Sequence, residues 1–207
     1  MRTETRRRVE DTGSVFFSDD DVNDALNEGY ELLSDASEWF ETSITVDVLS
    51  TRPYYDLRRI FPYQVLAPGA AFNPQTNRWL MPSSITDLDR MWRRPEQVYT
   101  QPERIVNRSL FWVMYWPLLT TEGSATVTQY AICMPSRLGN DDEPGFPERF
   151  HRGCVAYALT VLFPQKGETQ KAREADLEYQ EEEAELCAWK AGRVGTPMMR
   201  SYGADAR

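Results

Sequence analysis

The sequence has one histidine, His151, only three lysines beside twenty arginines, and three widely spaced cysteines. Each scarcity excludes some chemistry. A catalytic acid, base or nucleophile needs a tuned group beside a partner. His151 falls in the first turn of an expected helix, between Arg149 and Arg152. Two cations and the positive end of a helix dipole do not favour a catalytic role there. It reads as a surface or interface residue. One histidine also excludes a His-rich zinc site, and a Ser-His-Asp set on any other histidine. Cys133, Cys154 and Cys187 form no CxxC pair. Free thiols in a reducing cytoplasm are the simplest reading. Neither GxxxxGK[ST] nor GxGxxG occurs, so those phosphate cradles are missing. No catalytic residue, cofactor site or metal ligand is expected.

Long apolar runs are missing too. The most apolar stretch, Phe111 to Leu119, is shorter than the roughly 18 residues of a membrane span. Arg6-Arg7-Arg8 is followed by no apolar segment, so it does not read as a secretory leader. The net charge of −9 disfavours an outer surface built for phosphate contacts. It leaves open an acidic lining for a channel through which DNA slides.

What is present is ordinary for a globular chain: 207 residues, 41% apolar and 27% charged. That length fits one domain, or one domain with a large insertion. The arginine bias suits interface pairs, because the planar guanidinium grips carboxylates and stacks on aromatics. A GC-rich genome explains the same bias.

Residues 1–17 carry charge without periodicity and are expected to form a tail. Ser18-Asp19-Asp20-Asp21 is a capping box, and its acids favour the helix N-terminus. Val22, Ala25, Leu26, Tyr30, Leu33, Ala36 and Phe40 follow at helical spacing, so a helix is expected over 18–40. Phe16 or Phe17 should pack back on it. From Ser43 the period falls to two, as Ile44, Val46 and Val48 alternate with polar neighbours. Eleven of the thirteen prolines lie between Pro53 and Pro147. Such spacing forbids long helices and central strands, so 43–135 reads as a β-rich insertion of short strands. Strands are expected at Tyr54 to Ile60, Tyr63 to Leu66, Arg78 to Met81, Arg104 to Val106, Leu110 to Trp116 and Ala125 to Met134. A turn is expected at Asn73 to Asn77, and a short helix capped by Ser84.

Pro147 opens the last region. Phe150, Cys154, Tyr157, Ala158, Val161 and Leu162 mark one helix face, and Pro164 and Gly167 interrupt it. A second helix follows, with Ala172, Ala175, Tyr179, Leu186 and Trp189 along one side. Helices are thus expected over 147–190, followed by an extended arm over 192–207. The fold class is α+β: an antiparallel helical bundle, made of one N-terminal helix and a C-terminal pair, with a β-rich insertion and an extended tail.

Two acidic runs invite comparison with cation sites. Asp19-Asp20-Asp21 is explained by capping and Asn140 to Glu143 by loop solvation. Glu181, Glu182, Glu183 and Glu185 read as a solvated helix face, or as an acidic surface toward a basic partner or a DNA channel. Six tryptophans, some beside arginine as in Arg78-Trp79 and Trp92-Arg93-Arg94, could stack on bases. The acidic net charge favours protein contact instead.

The layout resembles the head-to-tail adaptor, or connector, proteins of tailed bacteriophages. Three stretches carry the likeness: FSDDDVNDALNEGYELLSDASEWF followed by SITVDVL; RWLMPSSITDLDRMW; and DDEPGFPERFHRGCVAYALTVLFPQKGETQKAREADLEYQEEEAELCAWK. Together they cover most of Phe17 to Lys190. The resemblance implies a virion protein of the neck, made in the host cytoplasm. It would form a ring, usually of twelve copies, between the portal protein and a tail or nozzle protein. Genomic DNA would pass through without sequence-specific binding. No catalytic residue and no membrane partner is implied. Met198, Met199, Arg200 and Tyr202 become the apolar and basic contacts of a portal-docking arm. Glu181, Glu182, Glu183 and Glu185 become a channel- or portal-facing surface. A stopper or tail-completion ring is the nearest alternative. A small cytosolic enzyme is disfavoured by the single histidine, and a nucleic-acid-binding module by the charge.

Overall fold

The computed structural model describes residues 1–52, 54–91, 101–109, 111–117, 124–139 and 142–193. In chain order its elements are α1 (Arg2–Arg8), α2 (Asp19–Ala36), β1 (Glu41–Leu49), β2 (Tyr54–Asp56), α3 (Leu57–Ile60), β3 (Val65–Asn73), β4 (Arg78–Trp79), β5 (Met81–Pro82), α4 (Ile85–Met91), β6 (Arg104–Asn107), β7 (Trp112–Trp116), β8 (Ser124–Cys133), a 3₁₀ turn (Glu148–Phe150), α5 (His151–Gln165) and α6 (Thr169–Arg193). The fold is mixed α+β. The chain divides into two compact units, one of residues 1–40 and 135–195, the other of 41–134 and 196–207.

The first unit is helical. Ser18 starts α2 as its sequence requires: its hydroxyl accepts from Asp21 N at 3.1 Å, and the Asp21 carboxylate accepts from Ser18 N at 2.9 Å. Phe17 is buried while Phe16 stands exposed. Val22, Leu26 and Leu33 of α2 join Phe150, Leu159 and Leu162 of the α5 segment and Ala175 and Leu186 of α6 in one core. Two glycines permit the close approach. A Cβ on Gly29 would lie 2.9 Å from Tyr157 Cβ, and one on Gly153 would lie 2.9 Å from Leu33 Cδ1.

Several expectations are corrected here. Residues 1–17 are not a bare tail. They contain α1, and Thr5, Arg6, Val9 and Asp11 are buried. The reason is tertiary. The Arg6 guanidinium donates to Asp11 and to the Phe17 carbonyl at 3.1 Å, and reaches Asp19 at 2.5 Å. Lys166 Nζ donates to the Val9 carbonyl at 2.6 Å. The α2 helix ends at Ala36, short of Phe40, because Glu38 turns left-handed at φ 49°. Pro164 does not interrupt α5 but lies in its last turn. The stop comes at Gly167, φ +79°, where Gly167 N bonds Pro164 O and Glu168 N bonds Phe163 O. That pair of bonds is a Schellman close, which needs a left-handed residue. The last helix runs through Gly192 to Arg193, so 192–193 are helical rather than part of an arm.

Among its described residues the second unit holds two four-stranded sheets, ordered β1-β8-β3-β4 and β2-β7-β6-β5. All pairs are antiparallel except β5 with β6. Along β8, Ala125, Val127, Gln129, Ala131 and Cys133 all point inward, which is the strand period of two. Gln129 is a polar residue in that row. Its amide NH₂ donates to Gly69 O and Ala70 O, where β3 shifts register, and its amide oxygen accepts from Tyr115 at 2.9 Å. Asn73 makes the expected turn, accepting from Gln75 N and Thr76 N. Ser84 caps α4 through Asp87. The strand expected over Tyr54 to Ile60 stops at Asp56. Asp56 caps α3 instead, accepting from Arg58 N.

Candidate functional site

The acidic surface expected on α6 resolves into different environments. Glu181 and Glu185 are exposed and Glu183 is half-buried. Glu182 is withdrawn from that face. Its side chain is 5% exposed and ion-paired with Arg152. Helical geometry explains the split: Ala175, Tyr179, Glu182, Leu186 and Trp189 recur at four and three residues, so Glu182 belongs to the buried seam. The pairing holds the Arg152 guanidinium above its ordinary pKa, chiefly through the hydrogen bond to Glu182. Burial pushes the Tyr179 hydroxyl well up, and Glu183 beside it adds to the shift.

Met198, Met199, Arg200 and Tyr202 lie outside the described residues, as does Trp92-Arg93-Arg94. Trp79 is described and packs on Phe72 and Tyr130, at 5.3 and 5.4 Å between ring centres. His151 Nε2 lies 3.0 Å from the Phe146 carbonyl. Asp21 serves the α2 cap, as its helix-start position implies, whereas Asp19 pairs with Arg6. Among the described residues no cluster of His, Cys, Asp and Glu is placed to hold a metal ion. No helix among them is long and apolar enough to cross a membrane.

A second surface had no signal in the sequence. Pairing of β2 with β7 and of β6 with β7 brings Tyr54, Arg108, Ser109 and Trp112 around an open pocket of about 410 Å³. The Arg108 guanidinium lies over the Tyr54 ring, 4.8 Å from its centre, and Trp112 is 40% exposed. Nearby in the chain, Arg58 lies over Phe111 at 4.9 Å and Arg52 over Tyr55 at 5.1 Å. Asp56 is the carboxylate for both Arg58 and Arg59, at 3.0 and 3.8 Å. Arg58 holds the Asp56 carboxyl below the usual range. The result is an aromatic floor with excess positive charge.

Charge is divided unevenly between the units. Residues 1–40 and 135–195 carry 23 acidic and 12 basic side chains, a net −11. Residues 41–134 and 196–207 carry 9 and 11, a net +2. The chain's net negative charge therefore belongs to its helical unit.

A family model described as SU10 adaptor protein matches residues 1–199. No curated protein matches the chain.

Proposed function

The chain belongs to the SU10 adaptor protein family, a family of bacteriophage head–tail adaptors, and from that premise we propose that it forms a ring between portal and tail. The ring is a dodecamer in this reading. It extends the DNA channel, docks the tail or nozzle protein below, and has a structural rather than catalytic part. The observation that carries the reading is the family match over nearly the whole chain. The charge division supports it. A net −11 on the helical unit suits a lumen past which DNA must slide without adhering. Glu185 is an exposed α6 carboxylate available for that use.

In the same reading residues 194–207 are a portal-docking arm, and Met198, Met199, Arg200 and Tyr202 supply its contacts. Contacts from such an arm add buried area at the portal. The test is light scattering of the purified protein, alone and with its portal. Assembly that depends on the portal is expected. A protein that stays monomeric beside portal rings refutes the reading. Deleting 194–207 should weaken portal binding and leave the unfolding transition unchanged. Unaltered binding by that truncation refutes the arm.

A further inference from the structure

We infer that the Arg–aromatic pocket of Tyr54, Arg108 and Trp112 receives Leu177, with its flanking glutamates, from α6 of a second copy of this chain. The inference rests on the ring reading and supplies it with a contact.

The pocket is apolar below and cationic at its edge. Trp112 and Tyr54 offer ring surface, and Arg108 sits over Tyr54 with its guanidinium available at the rim. Arg59, with an 81% exposed side chain, adds charge on α3. Such a site takes an apolar side chain framed by carboxylates.

The helical unit presents that shape on α6. Leu177 is 60% exposed, on the side of the helix away from the seam of buried Ala175 and Leu186 and partly buried Trp189. Glu174 and Glu181, at i−3 and i+4, are its neighbours on the same surface, and both are exposed. Val15 and Phe16 are also exposed, but they precede α2 and Asp11 beside them is taken by their own amides; on a helix the rival is Leu32 of α2, also with acidic neighbours. It is only 40% exposed, Glu31 beside it is taken by Arg137, and Glu28 is engaged by Tyr157. Long-range charge agrees with the choice, since the knob belongs to the −11 unit and the pocket to the +2 unit. Complementary charge of this kind steers encounter and suppresses wrong partners. Pocket and knob are different surfaces of one chain, so the contact is heterologous and repeats head to tail, as ring closure requires.

The experiment measures assembly of the full-length protein on its portal, with sedimentation velocity giving the bound copies. The variants are W112A, R108E, L177S, E181R and L32S, each first matched to wild type in thermal unfolding. W112A and L177S should weaken assembly about thirtyfold, the scale of a buried interface anchor. R108E and E181R should each weaken it about tenfold, and the R108E/E181R double variant should recover most of that loss. L32S should assemble as wild type. Full assembly by W112A, R108E and L177S overturns the contact while leaving the ring reading intact. Loss with L32S instead of L177S overturns the choice of knob. Wild-type protein that never assembles on portal overturns the ring reading, and this contact with it.

Discussion

Alanine at Gly29 should destabilise the helical unit, whereas alanine at Gly153 should cost less. Both glycines sit in helices, where alanine is favoured by about 1 kcal/mol. What opposes that gain differs. The new Cβ at position 29 would meet Tyr157 Cβ at 2.9 Å and the Cys154 carbonyl oxygen at 3.1 Å. Both atoms are fixed to the α5 backbone, so relief requires α2 and α5 to move apart. Overpacking a close-packed core costs about 1–3 kcal/mol. Since backbone must shift, the upper part of that range applies, and the net loss is about 1–2 kcal/mol. At position 153 the nearest atom is Leu33 Cδ1, the end of a flexible side chain, at 2.9 Å, and next is Glu182 Cβ at 3.2 Å. Rotation of Leu33 relieves the first contact, so G153A should fall within about 1 kcal/mol of wild type. Urea unfolding followed by circular dichroism reads both values. For a chain of this size each kcal/mol moves the melting temperature by about 2–4 °C. G29A as stable as wild type, or more so, would refute the close α2–α5 crossing. G29A and G153A equally destabilised would refute the distinction between backbone and side-chain obstacles.

Three further outcomes are expected. The Asp11 carboxyl is held below its usual range, first by the Phe17 N–H and also by those of Phe16 and Val15 and by Arg6; its stabilisation is complete above the ordinary Asp value of about 4 and is lost as pH falls below it. Hydrogen exchange at the amides of residues 15–17 should therefore accelerate in that acidic window, and D11N should show the fast exchange at neutral pH; pH-independent protection would refute the link. E38G should stabilise by about 0.5–1 kcal/mol, because Glu38 holds φ 49° at the close of α2 and glycine removes the left-handed penalty; a lower melting temperature would count against that backbone. Q129L should cost about 1–3 kcal/mol by stranding the buried Tyr115 hydroxyl, and Y115F on the Q129L background should recover part of it, as a double-mutant cycle in urea would show.

Elements announced by local chemistry were readable in the sequence. The Ser18–Asp21 and Ser84–Asp87 boxes, the Asn73 turn and the alternation of β1 and β8 each depend on residues within a few positions of one another. Where closure is tertiary, the pattern is silent. Seven residues without an apolar period become α1 because Arg6 and Asp11 find partners up to 13 positions away. Helix ends escape the pattern for a related reason. Among the described residues, two of the three left-handed closes, at Glu10 and Glu38, use glutamate where glycine is the usual sign. Asp56 looked like strand continuation because the helix it caps is only one turn long. The pocket was hidden because Tyr54 and Arg108 are separated by half the β unit and meet only through β7.

The α6 helix shows why a charge run is a poor guide to a surface. Glu181, Glu182 and Glu183 are consecutive, yet successive helical residues are about 100° apart and face three directions. Glu182 falls in the seam, and Gly153 opposite leaves its stem room, since a Cβ there would lie 3.2 Å from Glu182 Cβ. Arg152, the next residue along, turns back to pair with the carboxylate. A buried carboxylate with one partner adds little to stability, but it penalises any rotation that would leave it unpaired. Aliphatic neighbours alone would tolerate such a rotation better. With Glu182 fixed inward, Leu177 is fixed outward, five residues and about 140° away around the helix. Glu174 and Glu181 flank it for the same reason. The seam residue that looked like part of the surface is therefore what sets the orientation of the surface itself.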